Sequence, residues 1–271
     1  MVARNGNSGP NIIRGRDGEV KDTIRGKGGN DLISGGLLQD KLIGGAGNDG
    51  LYGNEGNDIL NGGSGGDVIR GGDDRDILNR EDDNDLLFGQ AGANVLDGGE
   101  GNDRLIALGE TTLPNNSLNA LNFRGENNQG FLNLQNQDPK ILYFDDLTGG
   151  TGADTFHLQR NSDVQGQAFI RRQKFAIISD FRPGMDLDGD KIVLPGSPDN
   201  YRAELYGPNN SGTVIYYTAN PDIDINFGVG VVSLGTGFDV EIPDQTALVA
   251  VLEDVVARDM YNPDFYEYTG A

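Results

Sequence analysis

Gly44-Gly45-Ala46-Gly47-Asn48-Asp49-Gly50-Leu51-Tyr52 runs directly into Gly53-Asn54-Glu55-Gly56-Asn57-Asp58-Ile59-Leu60-Asn61. Each stretch of nine holds a glycine-rich run, an aspartate in sixth place and a leucine in eighth place. The frame extends both ways. Asp recurs at 22, 31, 40, 49, 58, 67, 76, 85 and 103, nine residues apart, with Asn94 in the one remaining slot. Two residues after each slot come Ile24, Ile33, Leu42, Leu51, Leu60, Ile69, Leu78, Leu87, Leu96 and Leu105. Chance does not fill nine of ten fixed slots with one residue type. A short fixed period marks a solenoid in which each repeat is one structural unit. An earlier unit, Gly6-Asn7-Ser8-Gly9-Pro10-Asn11-Ile12-Ile13-Arg14, has Asn in the acidic slot and lies two residues out of the regular frame.

Each nonapeptide divides into a six-residue turn and a three-residue strand with the apolar residue at its centre. Side chains alternate across a strand, so Leu60 points one way and its neighbours Ile59 and Asn61 the other. Two units, eighteen residues, make one flattened coil. Stacked coils give two short parallel sheets with the Ile and Leu side chains between them. No coil buries its apolar residue alone, so the array must stack. The expected fold is all-β: a parallel β-roll, or β-helix solenoid, of nonapeptide repeats.

The turns carry the chemistry. Glycine permits positive φ and lets carbonyls face a common concavity. Calcium, a hard cation, takes 6–8 oxygens at about 2.3–2.6 Å. Candidate metal ligands are the carboxylates of Asp22, Asp31, Asp40, Asp49, Asp58, Asp67, Asp76, Asp85, Asp103, Asp145 and Asp154. Backbone of the turn glycines Gly36, Gly45, Gly47, Gly56, Gly63, Gly65, Gly72, Gly99, Gly101, Gly150 and Gly152 joins them. One turn supplies part of a calcium shell and the stacked turn supplies the rest. Same-side turns are two repeats apart, so Asp31, Asp49, Asp67, Asp85 and Asp103 should line one edge. Asp22, Asp40, Asp58, Asp76 and Asn94 should line the other. Without metal each edge stacks like charges at about the 4.8 Å strand spacing, and a divalent ion removes that repulsion. Asp also favours metal-free turns; the strict frame outweighs that explanation.

The frame is lost after Ile106. An Asn/Gln-rich insertion at about 107–140 contains Asn115-Asn116, Asn127-Asn128-Gln129 and Gln135-Asn136-Gln137, with Leu118, Phe123, Phe131 and Leu134 among them. The frame returns at Asp145-Asp146-Leu147-Thr148 and Gly149-Gly150-Thr151-Gly152-Ala153-Asp154-Thr155-Phe156-His157, so the insertion is a side excursion from a continuing array. The division expected is a roll over 1–157 and a mostly β capping and secretion region over 158–271. In that region Phe175–Ser179, Lys191–Leu194, Thr213–Thr218 and Ile223–Val231 carry strand patterns. Leu248, Val251, Leu252, Val255 and Val256 fall at helical spacing after Asp244, which predicts one helix near 244–258.

Composition narrows the function. The 271 residues hold 42 Asp and Glu against 21 Lys and Arg, a net charge of −21 that would repel nucleic acid and anionic membranes. The first 106 residues carry −8 and the remainder −13. No Cys means no disulfide, thiolate metal site or cysteine nucleophile. The single His157 has no second histidine for zinc. Gly62-Gly63-Ser64-Gly65-Gly66 formally fits a G-x-S-x-G nucleophile elbow, but it sits inside a repeat with no histidine nearby. Asp186-Leu187-Asp188-Gly189-Asp190 begins like an EF-hand loop, yet Ser197 stands in the twelfth position that needs Glu. No run approaches the roughly 18 apolar residues of a membrane helix. Met1–Gly6 lacks the apolar core of a cleavable signal.

Gly44–Tyr52, Gly62–Arg70 and Gly149–His157 closely resemble G-G-x-G-x-D-x-U-x, the repeat of the RTX (repeats-in-toxin, hemolysin-type) calcium-binding family. The likeness covers 6–106 and about 140–157, and more weakly Ile178–Asp186 and Asp190–Leu194. It implies a parallel β-roll, several calcium ions between turns, and type I secretion through a one-step channel by an uncleaved C-terminal signal. Extracellular or cell-surface location follows from that resemblance. Three departures stand out: Leu38 for the fourth-position glycine, Arg80-Glu81-Asp82-Asp83 for a Gly-Gly start, and Asn94 for Asp. Sites on those turns should be weak or absent. The function expected is a secreted calcium-binding protein that folds on binding metal, with a structural, cell-surface or assembly role. It would associate with itself or a surface layer through the open end of the roll. The alternative is an enzyme or accessory module that acts on extracellular polysaccharide through 158–271.

Overall fold

The computed structural model describes residues 2–16, 20–107, 143–158, 174–183, 189–206, 211–218, 230–234, 238–242, 246–253, 262–264 and 266–269. Two sheets hold nearly all of them. The first runs in the order β1 (Val2–Asn5), β3 (Asp22–Gly28), β5 (Lys41–Ala46), β7 (Ile59–Ser64), β9 (Ile77–Asn79), β11 (Val95–Asp97), β13 (Tyr143–Thr148), β15 (Lys174–Ile178), β21 (Thr246–Leu252), β18 (Gly212–Thr218), β17 (Tyr201–Tyr206). The second runs β2 (Ile12–Arg14), β4 (Leu32–Gly36), β6 (Gly50–Glu55), β8 (Val68–Asp73), β10 (Leu86–Gln90), β12 (Arg104–Ala107), β14 (Thr155–Leu158), β16 (Lys191–Pro195), β22 (Tyr266–Thr269). A separate hairpin pairs β19 (Gly230–Leu234) with β20 (Phe238–Ile242).

Odd and even strands alternate between the sheets, as an eighteen-residue coil requires. Leu42 pairs with Leu60 and Leu60 with Leu78 in one sheet. Ile33 pairs with Leu51 and Leu51 with Ile69 in the other. All ten frame Ile and Leu residues are fully buried. The alternation explains why: in β9 Leu78 faces inward while Ile77 and Asn79 stay partly exposed. Each such burial contributes about 1.5–3 kcal/mol, but only when coils lie on both sides. Leu147, Phe156, Ile178 and Ile192 extend the same core beyond the regular repeats.

The insertion does not interrupt the stacking. β11 pairs with β13 and β12 with β14 in parallel, so the ladder passes over residues 108–142, which lie outside the described residues. Beyond it, β15 and β16 continue the two sheets in parallel register. The strands expected at Phe175–Ser179, Lys191–Leu194 and Thr213–Thr218 are present as β15, β16 and β18. Most of Ile223–Val231 falls outside the described residues.

One expectation fails. Thr246–Leu252 is a strand, so Leu248, Val251 and Leu252 do not form a helical face. Ala250, Val251 and Leu252 pair in parallel with Ala176, Ile177 and Ile178, and the opposite edge pairs antiparallel with β18. The run Ala-Leu-Val-Ala-Val-Leu suits either structure by itself. The edge of β15 supplies backbone partners and an apolar layer that a helix would leave unsatisfied. Asp244, Val255 and Val256 lie outside the described residues.

Candidate metal centre

Every frame aspartate stands at the start of its strand, where turn gives way to sheet. On the even-strand edge the N–H of Asp31 donates to Oδ1 of Asp49 at 2.6 Å, that of Asp49 to Asp67 at 2.7 Å, and that of Asp67 to Asp85. The series continues from Asp85 to Asp103 at 3.0 Å, from Asp103 to Asp154 at 2.9 Å and from Asp154 to Asp190 at 3.0 Å. It begins with Asn11, whose N–H donates to Asp31 Oδ1 at 2.7 Å. The other edge runs through Asp22, Asp40, Asp58, Asp76, Asn94 and Asp145, at 2.7–2.9 Å. The two edges hold the aspartates assigned to them by spacing alone.

One oxygen of each carboxylate after Asp22 is thereby committed to the neighbouring coil. In most of them the second is not. Oδ2 of Asp31, Asp49, Asp58, Asp67, Asp76, Asp103 and Asp154 is buried with no hydrogen-bond partner. A buried unpartnered carboxylate oxygen is costly. Burial is the first cause of the raised pKa at Asp49, Asp58, Asp67, Asp76, Asp103 and Asp154, and neighbouring carboxylates add to it. Asp76 is pushed up to about 8, with Asp58, Asp74 and Asp73 adding to burial. Asp58 and Asp154 are pushed up to about 7, and Asp67 and Asp103 to about 6. Asp40 and Asp49 move the same way.

The orphan oxygens face a shaped space. A Cβ built on Gly44, the first residue of its turn, would lie 2.3 Å from Asp49 Oδ2 and 2.5 Å from the carbonyl oxygen of Gly62 in the next coil. The same pair of atoms meets a Cβ on Gly26 (Asp31 Oδ2 and Gly44 O), Gly53 (Asp58 Oδ2 and Gly71 O), Gly71 (Asp76 Oδ2 and Gly89 O) and Gly98 (Asp103 Oδ2 and Gly149 O). At these turns a carboxylate oxygen and a carbonyl oxygen from successive coils converge on the place where a Cβ would stand. These first-position glycines were not among the residues expected from sequence. Their recurrence at nine-residue spacing, as Gly26, Gly35, Gly44, Gly53, Gly62, Gly71, Gly89 and Gly98, was the available signal.

The second- and fourth-position glycines act through the backbone. Gly45, Gly47, Gly56, Gly63, Gly65, Gly72, Gly99, Gly101, Gly150 and Gly152 all have φ between 81° and 134°. Gly36 does not join them, and its turn carries Leu37 and Leu38 instead of the glycine-bearing form. At other second- and fourth-position slots Lys27, Asn54, Gln90, Asp74 and Asp83 adopt positive φ without being glycine. The fifth-position asparagines form a second ladder of opposite polarity: Asn30, Asn57, Asn84 and Asn102 accept from the N–H of the following coil at 2.6–3.0 Å.

Several turns differ. Asn94 places Nδ2, a donor, 2.9 Å from the Cβ position of Gly89, where other turns present Oδ2. Asp85 Oδ2 meets the Arg80 guanidinium. Asp22 accepts from Arg16 N–H through Oδ2 at 2.8 Å. Asp190 uses both oxygens, for Asp154 N–H and for Arg182 N–H at 2.7 Å, and Asp180 accepts from the N–H groups of Gly149 and Gly150 at 2.9 and 2.7 Å. Asp180 and Asp190 were not among the expected site residues; the Asp190-Lys191-Ile192 run, which keeps the Asp-x-Ile spacing, was the signal for the second. His157 meets Arg104 at 3.0 Å, and burial followed by that arginine lowers its pKa.

Among the described residues no point gathers three carboxylate or imidazole side chains. A cation here must draw one carboxylate oxygen per turn and complete its shell with backbone carbonyls, the donor set of a hard ion. Calcium fits. Asp31, Asp49, Asp58, Asp67, Asp76, Asp103 and Asp154 would hold it with carbonyls of the stacked turns, and its charge would offset the stacked anions. Comparison with known families agrees: residues 18–51, 34–69, 52–87, 80–109 and 143–164 match the family model of the RTX calcium-binding nonapeptide repeat, in its four-copy form. No curated protein matches the chain.

Proposed function

We propose, from the premise that the repeats at 18–109 and 143–164 belong to the RTX calcium-binding family, that this protein is exported and folds outside the cell as calcium fills its turns. The structure shows the β-roll, and the family match gives its repeats as calcium-binding. Export, and a structural role at the cell surface or in an assembly, are the reading placed on it. The observation that carries it is the row of buried, unpartnered Asp Oδ2 atoms along both edges.

Those oxygens make the metal-free roll self-opposing. Each coil added brings a further buried charge beside the last. Ion binding removes that cost and adds its own free energy to folding. Extracellular calcium modules work at about 10⁻⁴–10⁻³ M, far above cytosolic levels. A chain of this kind stays loose where it is made and hardens where calcium is abundant. Among the described residues no helix is long and apolar enough to cross a membrane.

Circular dichroism across a calcium titration tests this. A β spectrum and a sharp melt that appear between micromolar and millimolar calcium are expected. The same spectrum and melt in chelator would overturn the proposal.

A further inference from the structure

Arg80 stands in the first position of its turn, the place held by glycine at Gly26, Gly44, Gly62 and Gly98 along the same edge. At Gly44 the first-position space is bounded by the sixth-position Asp Oδ2 and by the first-position carbonyl of the next coil. For the turn 80–85 those two atoms are Asp85 Oδ2 and Gly98 O. Both are taken by one side chain: Arg80 Nη1 meets Asp85 Oδ2, and Nη2 donates to Gly98 O. Nη2 also lies 3.0 Å from Asp103 Oδ1, on the next rung. The side chains of Arg80, Asp85 and Asp103 are wholly buried.

We propose that the Arg80 guanidinium is a built-in cation that fills the metal cradle between the turns 80–85 and 98–103, so that this cradle takes no calcium. The planar fork of arginine matches the task. It presents several donors in a fixed plane and stays charged when buried beside carboxylates. A buried arginine without such partners would be strongly destabilising, so its position is set by the oxygens that elsewhere await a metal. The even-strand edge therefore contains one coil junction whose charge balance is written into the chain, with metal junctions on either side. The Arg80 charge is also felt at Asp67 and Asp97, so it bears on the neighbouring rungs.

This inference rests on the calcium reading of the other turns, and its test separates the two. Crystals of the full chain grown in calcium are measured for anomalous scattering from the ion. Density at the cradles of Asp49 and Asp67, with none between Asp85 and Gly98, is the expected result. An ion between Asp85 and Gly98 overturns the Arg80 proposal alone. A map blank at every turn overturns both readings. Native mass spectrometry of Arg80→Gly, which restores the family glycine, supplies the second arm. One additional bound calcium relative to the parent is expected; an unchanged count in the folded variant contradicts the proposal. Should Arg80→Gly fail to fold in calcium, the parent map decides.

Discussion

The N–H of Asp49 donates to Oδ1 of Asp67, eighteen residues further on, at 2.7 Å, while Oδ2 of Asp67 is buried without a partner. One carboxylate thus has two separable duties. Its first oxygen joins adjacent coils by a charge-assisted hydrogen bond, and its second would serve the ion under the proposed function. Asp67→Asn keeps an amide oxygen for the Asp49 N–H but replaces the metal oxygen by a donor. Losing a charged ligand of this kind should weaken calcium binding about tenfold or more, with the roll still assembling at higher calcium. Calorimetric titration beside circular dichroism measures both. Calcium affinity equal to that of the parent would refute the division of duties.

Asn94 is the natural counterpart. Its Nδ2 points where the other turns offer Oδ2, and it donates to Gln90 O at 3.4 Å. Asn94→Asp should create a further site. Native mass spectrometry should then count one more ion. The melting temperature should rise in calcium and fall in chelator, because the added carboxylate joins a stack already crowded by Asp76 and Asp145.

Glycines that border the cradle and glycines away from it should respond differently to alanine. A Cβ on Gly62 would lie 2.1 Å from Asp67 Oδ2, inside the cradle. Gly62→Ala should cost about 1–3 kcal/mol by overpacking and lower the ion count. Gly50 lies in β6, and the nearest atom to its Cβ would be the end of the Leu32 side chain at 3.1 Å, with Tyr52 Cε2 at 3.6 Å. Gly50→Ala should leave calcium binding unchanged and be neutral or slightly stabilising, since glycine weakens a strand interior. Denaturant unfolding in saturating calcium compares the two.

The pH dependence differs with and without metal. In the metal-free roll Asp76 is raised to about 8, Asp58 and Asp154 to about 7, and Asp67 and Asp103 to about 6, mainly by burial. The folded state then binds more protons than the unfolded state between about pH 4 and 8. By linkage, stability in chelator falls as pH rises through that window. Calcium requires the deprotonated carboxylates, so its affinity should rise over the same window with release of protons. Thermal melts from pH 4 to 8 should fall with rising pH in chelator, whereas in saturating calcium they should rise to about pH 5 and then hold level, because the rising affinity offsets the falling metal-free stability. The same fall in calcium as in chelator would contradict the assignment of these aspartates as ligands.

Much of this was legible in the sequence because a solenoid makes distance along the chain equal distance in space. Asp49 to Asp67 is one coil, so the spacing gives the edge, the register and the core residue together. Leu51 and Leu60 could be placed on opposing sheets from number alone. The resumption at Asp145 and Asp154 gave the continuity across 108–142. Where periodicity ends, so does that legibility. Thr246–Leu252 carries apolar residues compatible with helix or strand, and only the edge of β15, some seventy residues earlier, decides for strand. Arg80 was visible as a departure from the glycine frame. That its guanidinium reaches Asp85, Gly98 and Asp103 depends on where a long side chain turns inside a stacked array, which spacing does not encode. Asp180 lies outside the nine-residue frame, so its closure of the Gly149–Gly150 turn emerges only in three dimensions.

The central claim is that calcium between successive turns holds the coils together. Hydrogen–deuterium exchange of the full chain, followed by mass spectrometry on peptides spanning 44–70, tests it at the ladder itself. The amides of Asp49 and Asp58, each bonded to an aspartate one coil away, should be strongly protected in millimolar calcium and exchange freely in chelator. Equal protection in both conditions would contradict the account.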